Sequence, residues 1–455
     1  MASGLKVLLV QSLWLPPGVK KDRNPVYPLG LVYVADAIPE KHEVRILDLC
    51  VEDHPWKALR ESVSAFSPDI VGISIRNSDS FGYTDVVSSP DASTSFCLTN
   101  LQRTLDEIDA AGFQGKVVVG GQAFSIFPER IMESSGRVDF GVFLEGEDSF
   151  RELLDNLEEP DKVKGIYFRR EDEVVFTGPR AHADISSLIP DRSMVHYGRY
   201  TSSPEGIGIQ SKRGCVLSCS YCIYPHLSGS RLRLCDPVSV VDEMERLSAE
   251  GIEVLHFVDP VFNIPKHHAE GICREIIRRE LDVKWIAWFH PAYMDSDFVS
   301  LCSRAGCVKF ELSPDAYGQR GLDALNKKMT TAQVRQSLRL ARHLPEGAVM
   351  SYNFLINHPG ETVFSFFRKL FFCFRIRMTC GGRGQIQLLN HIRIMPGTGV
   401  HRTAIEEGRI GPDTEMLPKS QEELFRLFYR RSRSVDAFYR ILMFLSRLKH
   451  RFFRS

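Results

Sequence analysis

Three of the eleven cysteines stand within eight residues: Cys215, Cys219 and Cys222, in the string Lys212-Arg213-Gly214-Cys215-Val216-Leu217-Ser218-Cys219-Ser220-Tyr221-Cys222. Thiolates spaced Cys-x3-Cys-x2-Cys can converge from one loop on a single metal centre, and thiolate ligands favour zinc or iron–sulfur chemistry. Structural zinc takes four ligands, usually as two separated pairs. No second pair follows, since the next cysteine, Cys235, is thirteen residues away. Three cysteines on a four-iron cluster would leave one iron open to a ligand that is not protein. The other eight, at 50, 97, 235, 273, 302, 307, 373 and 380, are scattered and read as small buried hydrophobes.

The loop that carries these thiols follows an apolar run at 206–211, the first of six candidate strands. The others are 254–259, 284–289, 308–313, 348–356 and 385–393, with helical spans near 237–250, 267–280, 295–305, 331–343 and 361–378. Six β/α units fall short of the eight in a closed barrel, so a partial (β/α)6 barrel, open on one side, is expected. It places the cysteine loop at a strand's carboxyl end, where barrel chemistry belongs. Upstream, β-branched runs at 5–11, 43–48, 70–75, 116–119 and 139–144 alternate with helical patterns at 29–38, 56–66, 98–112, 127–134 and 147–157. This alternation predicts a doubly wound, Rossmann-like α/β sheet. Polar or Gly-rich residues follow its strands at Ser12, Arg76, Gly120-Gly121-Gln122 and Glu145-Gly146. They are ordinary turns or the rim of a ligand crevice at the strand ends.

The domains expected are 1–160 for this sheet, 161–204 for a hairpin and linker, 205–400 for the partial barrel and 401–455 for a helical C-terminal region. The chain has 455 residues, 43% hydrophobic, with 57 Lys+Arg against 57 Asp+Glu. That balance removes any whole-protein charge argument for nucleic acid. The N-terminal string MASGLKVLLVQ reads as no signal peptide, and no run approaches 18 uncharged apolar residues, so a cytoplasmic protein is expected.

The Cys-x3-Cys-x2-Cys segment, with Tyr221 before its third cysteine, resembles the radical S-adenosylmethionine (SAM) superfamily. The resemblance implies a [4Fe–4S] cluster on Cys215, Cys219 and Cys222 whose open iron holds the amino and carboxylate groups of SAM, and cleavage of SAM to a 5′-deoxyadenosyl radical. Further strings look like that family's strand-end segments. They are Val258-Asp259-Pro260-Val261-Phe262-Asn263, Phe310–Asp315 with Leu322–Lys327, Asn357-His358-Pro359-Gly360-Glu361-Thr362, and Met395-Pro396-Gly397-Thr398. Many members carry a glutamate in the fourth strand where this chain has Ser313. The resemblance implies Tyr221, Asp259, Ser313, Asp315 and Asn353 as SAM-binding positions.

Pro28-Leu29-Gly30-Leu31, Ser67–Ser74, Val118-Val119-Gly120-Gly121 and Glu145-Gly146-Glu147 look like the cobalamin-binding domain fused to one large radical SAM subfamily. This implies cobalamin held by Ser12, Gly30, Ser74, Arg76, Gly120, Gly121, Gln122, Glu145 and Gly146. The missing Cβ atoms of Gly120-Gly121 are expected to admit a bulky planar ligand. The Asp-x-His-x-x-Gly fingerprint is absent. The nearest string, around His268-Ala269-Glu270-Gly271, has Lys266 in place of the aspartate and lies in the second domain. No protein histidine is therefore expected below the cobalt.

Other features read more simply. His267-His268 caps a helix or faces solvent, and His290 and His358 follow strands, in loop roles or at the mouth of the active site. Phe364, Phe366, Phe367, Phe371, Phe372 and Phe374 read mostly as the buried face of a helix, with an apolar substrate wall as the alternative. From Leu424 onward, nine Lys/Arg against Asp436 alone give +8 over 32 residues, interleaved with aromatics. An amphipathic helix docking on the barrel is favoured over a membrane contact.

The function implied is an enzyme that transfers a methyl group to an unactivated carbon or phosphorus of a small-molecule or biosynthetic substrate through the adenosyl radical. A reductant such as flavodoxin or ferredoxin would supply the electron. The alternatives are a radical SAM enzyme of the same architecture performing cyclisation, ring contraction or oxidation, and a non-catalytic metal- or partner-binding protein. A methylthiotransferase would want three cluster cysteines before the loop, and only Cys50 and Cys97 are there. A twin-cluster maturase would want a cysteine-rich C-terminus, and only Cys373 and Cys380 lie beyond residue 307.

Overall fold

The run KVLLVQ becomes β1 (Lys6–Gln11), buried at every residue but the first, as a strand covered on both faces must be. In the computed structural model, which describes residues 4–14, 25–79, 95–186 and 189–452 (without the side chains of 387–390 and 443–452), it is a central strand of the first sheet. β2 (Glu43–Asp48) and β3 (Ile70–Ser74) flank it in parallel, and β4 (Lys116–Gly120) and β5 (Phe140–Val142) continue the sheet in parallel. The order β2-β1-β3-β4-β5 reverses at β1, so the carboxyl ends of β1 and β3 form the switch point where such sheets take ligands. Val7, Leu9, Ile70, Val118 and Phe150 pack in its core.

The hairpin expected near 163–176 forms, but as part of this sheet. β6 (Ile166–Arg170) pairs antiparallel with β5, and β7 (Glu173–Phe176) pairs with β6. Ile166 and Phe168 are buried in the same core, which is why the hairpin closes the edge of the sheet. The stretch after it, read as a linker, also belongs to the first compact unit, which extends to Ile207. Tyr200 within it is buried and donates to Asp48 Oδ2 at 2.9 Å.

The second unit holds β8 (Gly208–Ile209), a short hairpin of β9 (Lys212–Arg213) and β10 (Arg233–Leu234), then β11 (Val254–Phe257), β12 (Lys284–Phe289), β13 (Cys307–Asp315), β14 (Val349–Ile356), β15 (Gly384–Arg393) and β16 (Phe428–Tyr429). Strands β8 and β11 to β15 are parallel and adjacent in that order, and β16 joins β15 antiparallel. Among the described residues two edges stay unjoined, at β8 and β16: the partial barrel. Phe257, Phe262, Trp285, Phe289 and Phe310 pack in its core, with ring centroids 4.7 Å apart for Phe257–Phe262, 4.9 Å for Phe262–Trp285, 5.6 Å for Phe262–Phe289 and 5.0 Å for Phe289–Phe310. Helix starts are set by caps, such as Asp236 accepting from Val238 and Ser239 and the Thr330/Gln333 box.

Two expectations are corrected here. The basic tail is not one helix from Leu424. Phe428 and Tyr429 are buried, and they pair with β15 because two adjacent bulky aromatics bury better on a sheet edge than on a helix. The helix Arg433–Phe452 follows, and its Val435 and Tyr439 pack against Ile356 and Phe366. The phenylalanine run is not mostly buried. In the helix Val363–Cys380 only Phe366 and Phe372 face the core, while Phe364, Phe367, Phe371 and Phe374 lie on the opposite side and are exposed. The helical period, and not hydrophobicity, decides this, because residues two or five apart cannot share a face.

Candidate functional site

The cysteine loop begins at a forced turn. Gly214 has φ +86°, and a Cβ there would lie 2.0 Å from the Arg231 carbonyl oxygen. Its N–H donates to Ser228 Oγ at 3.0 Å, and Cys215 N donates to Gly229 O at 3.0 Å. The middle of the loop is clamped from two strand-end segments. Ser220 N donates to Leu325 O at 2.9 Å, Asn326 Nδ2 to Ser218 O at 2.7 Å, and Val400 N to Ser220 O at 2.7 Å. Thus strings more than 100 residues apart in sequence hold one loop. Burial raises the thiols of Cys215 and Cys219 and pushes that of Cys222 up to about 11; neighbouring sulfurs add to the effect at Cys215 and Cys222, whereas at Cys219 Lys327 opposes it and Asp315 adds to it.

Beside them lies a polar triad. Tyr221 Oη donates to Asp315 Oδ2 at 2.5 Å, Lys327 Nζ donates to the same oxygen at 2.6 Å, and Nζ lies 3.3 Å from Tyr221 Oη. Asp315 and Lys327 are buried. Burial opposes the charge on Lys327, but Asp315 and the Cys219 sulfur outweigh it and hold the ammonium above its ordinary range. Asp315 itself has φ +61°, at a register shift where β13 bulges against β14 after Leu312. A non-glycine residue in this conformation is held by its surroundings and marks a constrained site. In the sequence Lys327 stands out only as the end of the string Leu322–Lys327; a lone lysine ordinarily reads as solvent-facing, and nothing in the sequence marks it as buried.

Asp259 is fully engaged: it accepts from Ser211 N at 2.9 Å, from Ser211 Oγ, and from Lys212 N at 3.2 Å. Lys212, itself buried, reaches the carbonyls of Phe262 at 2.6 Å and Ile264 at 3.1 Å. Asp259 thereby braces the strand leading into the cysteine loop. Ser313 sits half-buried in the β13 bulge. Asn353, on β14, is fully buried, and neither its Oδ1 nor its Nδ2 has a hydrogen-bond partner. A buried amide left without partners costs about 1–3 kcal/mol, which marks Asn353 as a candidate to meet a bound polar group.

The histidines are supports. His290 Nε2 meets Lys327 O at 2.9 Å while Nδ1 accepts from Ala292 N at 3.3 Å, which fits the neutral ring; burial lowers its pKa to about 4. His358 is buried, with Nδ1 2.8 Å from Pro359 O and Nε2 3.5 Å from Glu361 Oε1. His268 is buried against Cys235 O at 2.8 Å, and only His267 faces solvent.

In the first unit, the strand ends bring most of the expected cobalamin positions together. Ser12 N donates to Ser74 O at 3.0 Å, and Ile75 N to Gly120 O at 2.8 Å. Arg76 stacks on Trp14, 5.5 Å from its ring centroid, and Gln122 is exposed. Glu145 turns away to a different partner: it accepts from Ala183 N at 3.3 Å and lies 3.6 Å from His182 Nδ1. Gly146 stands at the start of the helix Glu147–Asp155, with Val34 where its Cβ would point. Gly30 has nothing within 4 Å of a Cβ, and Gly120 only Val142 at 3.6 Å or more, so both leave open approach to the backbone. Gly121 differs: at φ +93°, its Cβ would lie 2.7 Å from the Ile75 carbonyl. The fold itself needs that glycine, before any ligand does. Gly121→Ala is expected to cost about 1–3 kcal/mol of stability, whereas Gly120→Ala should stay within about 1 kcal/mol. Paired urea titrations of the two variants check this.

The residues suit the groups that the resemblance implies. Among the described residues no three His, Cys, Asp or Glu close on a single metal ion. A four-iron cluster asks instead for separate thiolates on separate irons, which three cysteines on one pinned loop can provide. The partnerless Asn353 amide fits a polar cofactor.

Comparison with known proteins identifies the two domains. The family model "B12 binding domain" matches residues 18–154, and "Radical SAM superfamily" matches residues 209–366. An uncharacterised methyltransferase of Pyrococcus horikoshii is 27% identical over 369 residues, 79% of this chain and 75% of its own. The anaerobic magnesium-protoporphyrin IX monomethyl ester cyclase of Cereibacter sphaeroides is 30% identical over 243 residues, but the match spans only 39% of that relative. The radical SAM methyltransferase TsrM of Kitasatospora setae, solved with cobalamin and a [4Fe–4S] cluster bound, superposes with a TM-score of 0.75 at 25% identity, over 89% of this chain and 78% of its own. The chain belongs to the radical SAM superfamily, in the subfamily that carries a B12-binding domain, and it is an enzyme.

Proposed function

We propose that this enzyme is a cobalamin-dependent radical SAM methyltransferase that methylates an unactivated carbon or phosphorus of a small molecule, with an external one-electron reductant such as flavodoxin or ferredoxin. The observation that carries the reading is the pairing of a three-thiol loop and a buried, partnerless Asn353 in one unit with a B12-binding sheet in the other. When bound, the [4Fe–4S] cluster, SAM and cobalamin supply electron transfer, radical initiation and a methyl donor. The chain's own part is positioning. Cys215, Cys219 and Cys222 hold the iron, Tyr221, Asp315 and Lys327 keep their loop in place, and the Asn353 amide binds SAM. The strand-end backbone at Ser12, Ser74 and Gly120 holds cobalamin, and buried aromatic walls exclude water from the barrel.

The test is anaerobic incubation of reconstituted enzyme with methyl-labelled SAM, cobalamin, reductant and metabolite extracts. Label in a new product supports methyl transfer. 5′-Deoxyadenosine formed without label transfer would favour the second reading, cyclisation, which the partial likeness to the ester cyclase motivates.

A further inference from the structure

Seven of the exposed large apolar side chains lie on two neighbouring helices of the second unit. On the helix Val363–Cys380 they are Phe364, Phe367, Phe371, Phe374 and Met378, with Phe364 72% and Met378 70% exposed. Steps of 3, 4, 3 and 4 residues align them in one stripe along the helix. On the helix Arg433–Phe452, Phe438 and Ile441 continue the patch, and the rings of Phe367 and Phe438 meet at 5.2 Å. A monomer rarely leaves so large a contiguous apolar face to water.

The charge around this stripe has one sign. Arg368, Arg375 and Arg377 are exposed on the first helix, which contains no Asp or Glu. The second helix carries one acid, Asp436, already engaged by His391 at 2.6 Å and Asn357 at 2.6 Å. Next to the patch, and sharing Arg440 and Ile441 with it, opens a cavity of about 830 Å³ lined also by Arg409, Arg430, Arg431, Arg433 and the single acid Asp436. Two buried nitrogens of Arg430, Nε and one Nη, lack a hydrogen-bond partner, and the Asp436 carboxylate is 3.9 Å from Nε. Arg409 and Arg431 share Glu407, so the cavity keeps an excess of positive charge.

We propose that this face is a peripheral docking surface for an anionic lipid bilayer, with the phenylalanine stripe entering the interface and a lipid phosphate seated among the arginines. The inner face of the terminal helix docks on the barrel through Val435 and Tyr439, so its outer face remains available. Aromatic side chains flanked by arginines are the composition of helices that lie in the plane of a membrane surface. No helix among the described residues is long and apolar enough to cross a membrane, so the contact is in-plane. A second copy of the chain suits the face less well: a two-fold contact would set Arg368, Arg375 and Arg377 against themselves with no acid on that helix to pair.

The test is co-sedimentation of the full-length, cluster-reconstituted protein with vesicles of phosphatidylglycerol and phosphatidylcholine, against phosphatidylcholine alone, at physiological salt. Binding at least tenfold stronger to the anionic vesicles is expected. It should fall at least tenfold in Phe364→Ser/Phe371→Ser and in Arg433→Gln/Arg440→Gln, both of which change exposed residues and should keep their iron content. Absence of vesicle binding, or binding that neither double variant weakens, overturns the proposal. So does a stable dimer that the phenylalanine variant abolishes while vesicles are ignored.

Discussion

Replacing Cys215, Cys219 and Cys222 together with alanine is expected to take bound iron from about four per chain to near zero and to abolish formation of 5′-deoxyadenosine. The loop's shape does not depend on the sulfurs: it is pinned by Gly214, by backbone bonds from Ser220 and Val400, and by the Asn326 side chain. The triple variant should therefore melt within a few degrees of iron-free wild type, separating loss of the metal centre from loss of the fold. Iron counted by a colorimetric assay after anaerobic reconstitution, alongside a thermal melt, decides the matter. A variant that still holds about four irons would place the cluster elsewhere.

The second large effect is expected at the buried pair Asp315–Lys327, whose side chains are 3% and 6% exposed and 2.6 Å apart. Lys327→Met leaves the Asp315 carboxylate buried without its cation, and breaking such a pair costs about 3–5 kcal/mol. In a domain of this size that lowers the melting temperature by on the order of 10 °C. Because Tyr221 shares the same oxygen of Asp315, the cysteine loop should loosen as well, and iron retention should fall. Asp315→Asn in the same chain removes the stranded charge, so the double variant Asp315→Asn/Lys327→Met should recover much of the lost stability. Recovery in the melt without recovery of SAM cleavage would show the pair acting on the site beyond its structural role. A Lys327→Met protein that melts like wild type would remove the pair from the argument.

The three-thiol loop was legible as a candidate metal site from spacing alone, since three thiols within eight residues stand out without tertiary information. The sheets were legible as well. Runs such as KVLLVQ and KWIAWF are short, apolar on both faces and bounded by turns, as strands covered on both sides are. Tertiary structure decided what the local pattern left open. Whether Lys327 is a surface cation or a buried partner depends on Asp315, twelve residues away across a bulge. Whether Asp259 meets a ligand or braces Ser211 depends on two strands meeting. Gly121 looked like room for a ligand, but Ile75 from the adjacent strand end takes the space. The six phenylalanines between 364 and 374 show the same division. Composition makes them all candidates for the core, but a helix has one inward face, so packing buried Phe366 and Phe372 and left the other four in the open. Sequence determined which chemistry and which elements this chain has, because spacing and periodicity are local. Only the fold decided which polar groups are engaged and which apolar ones stay exposed, because that depends on neighbours distant in the chain.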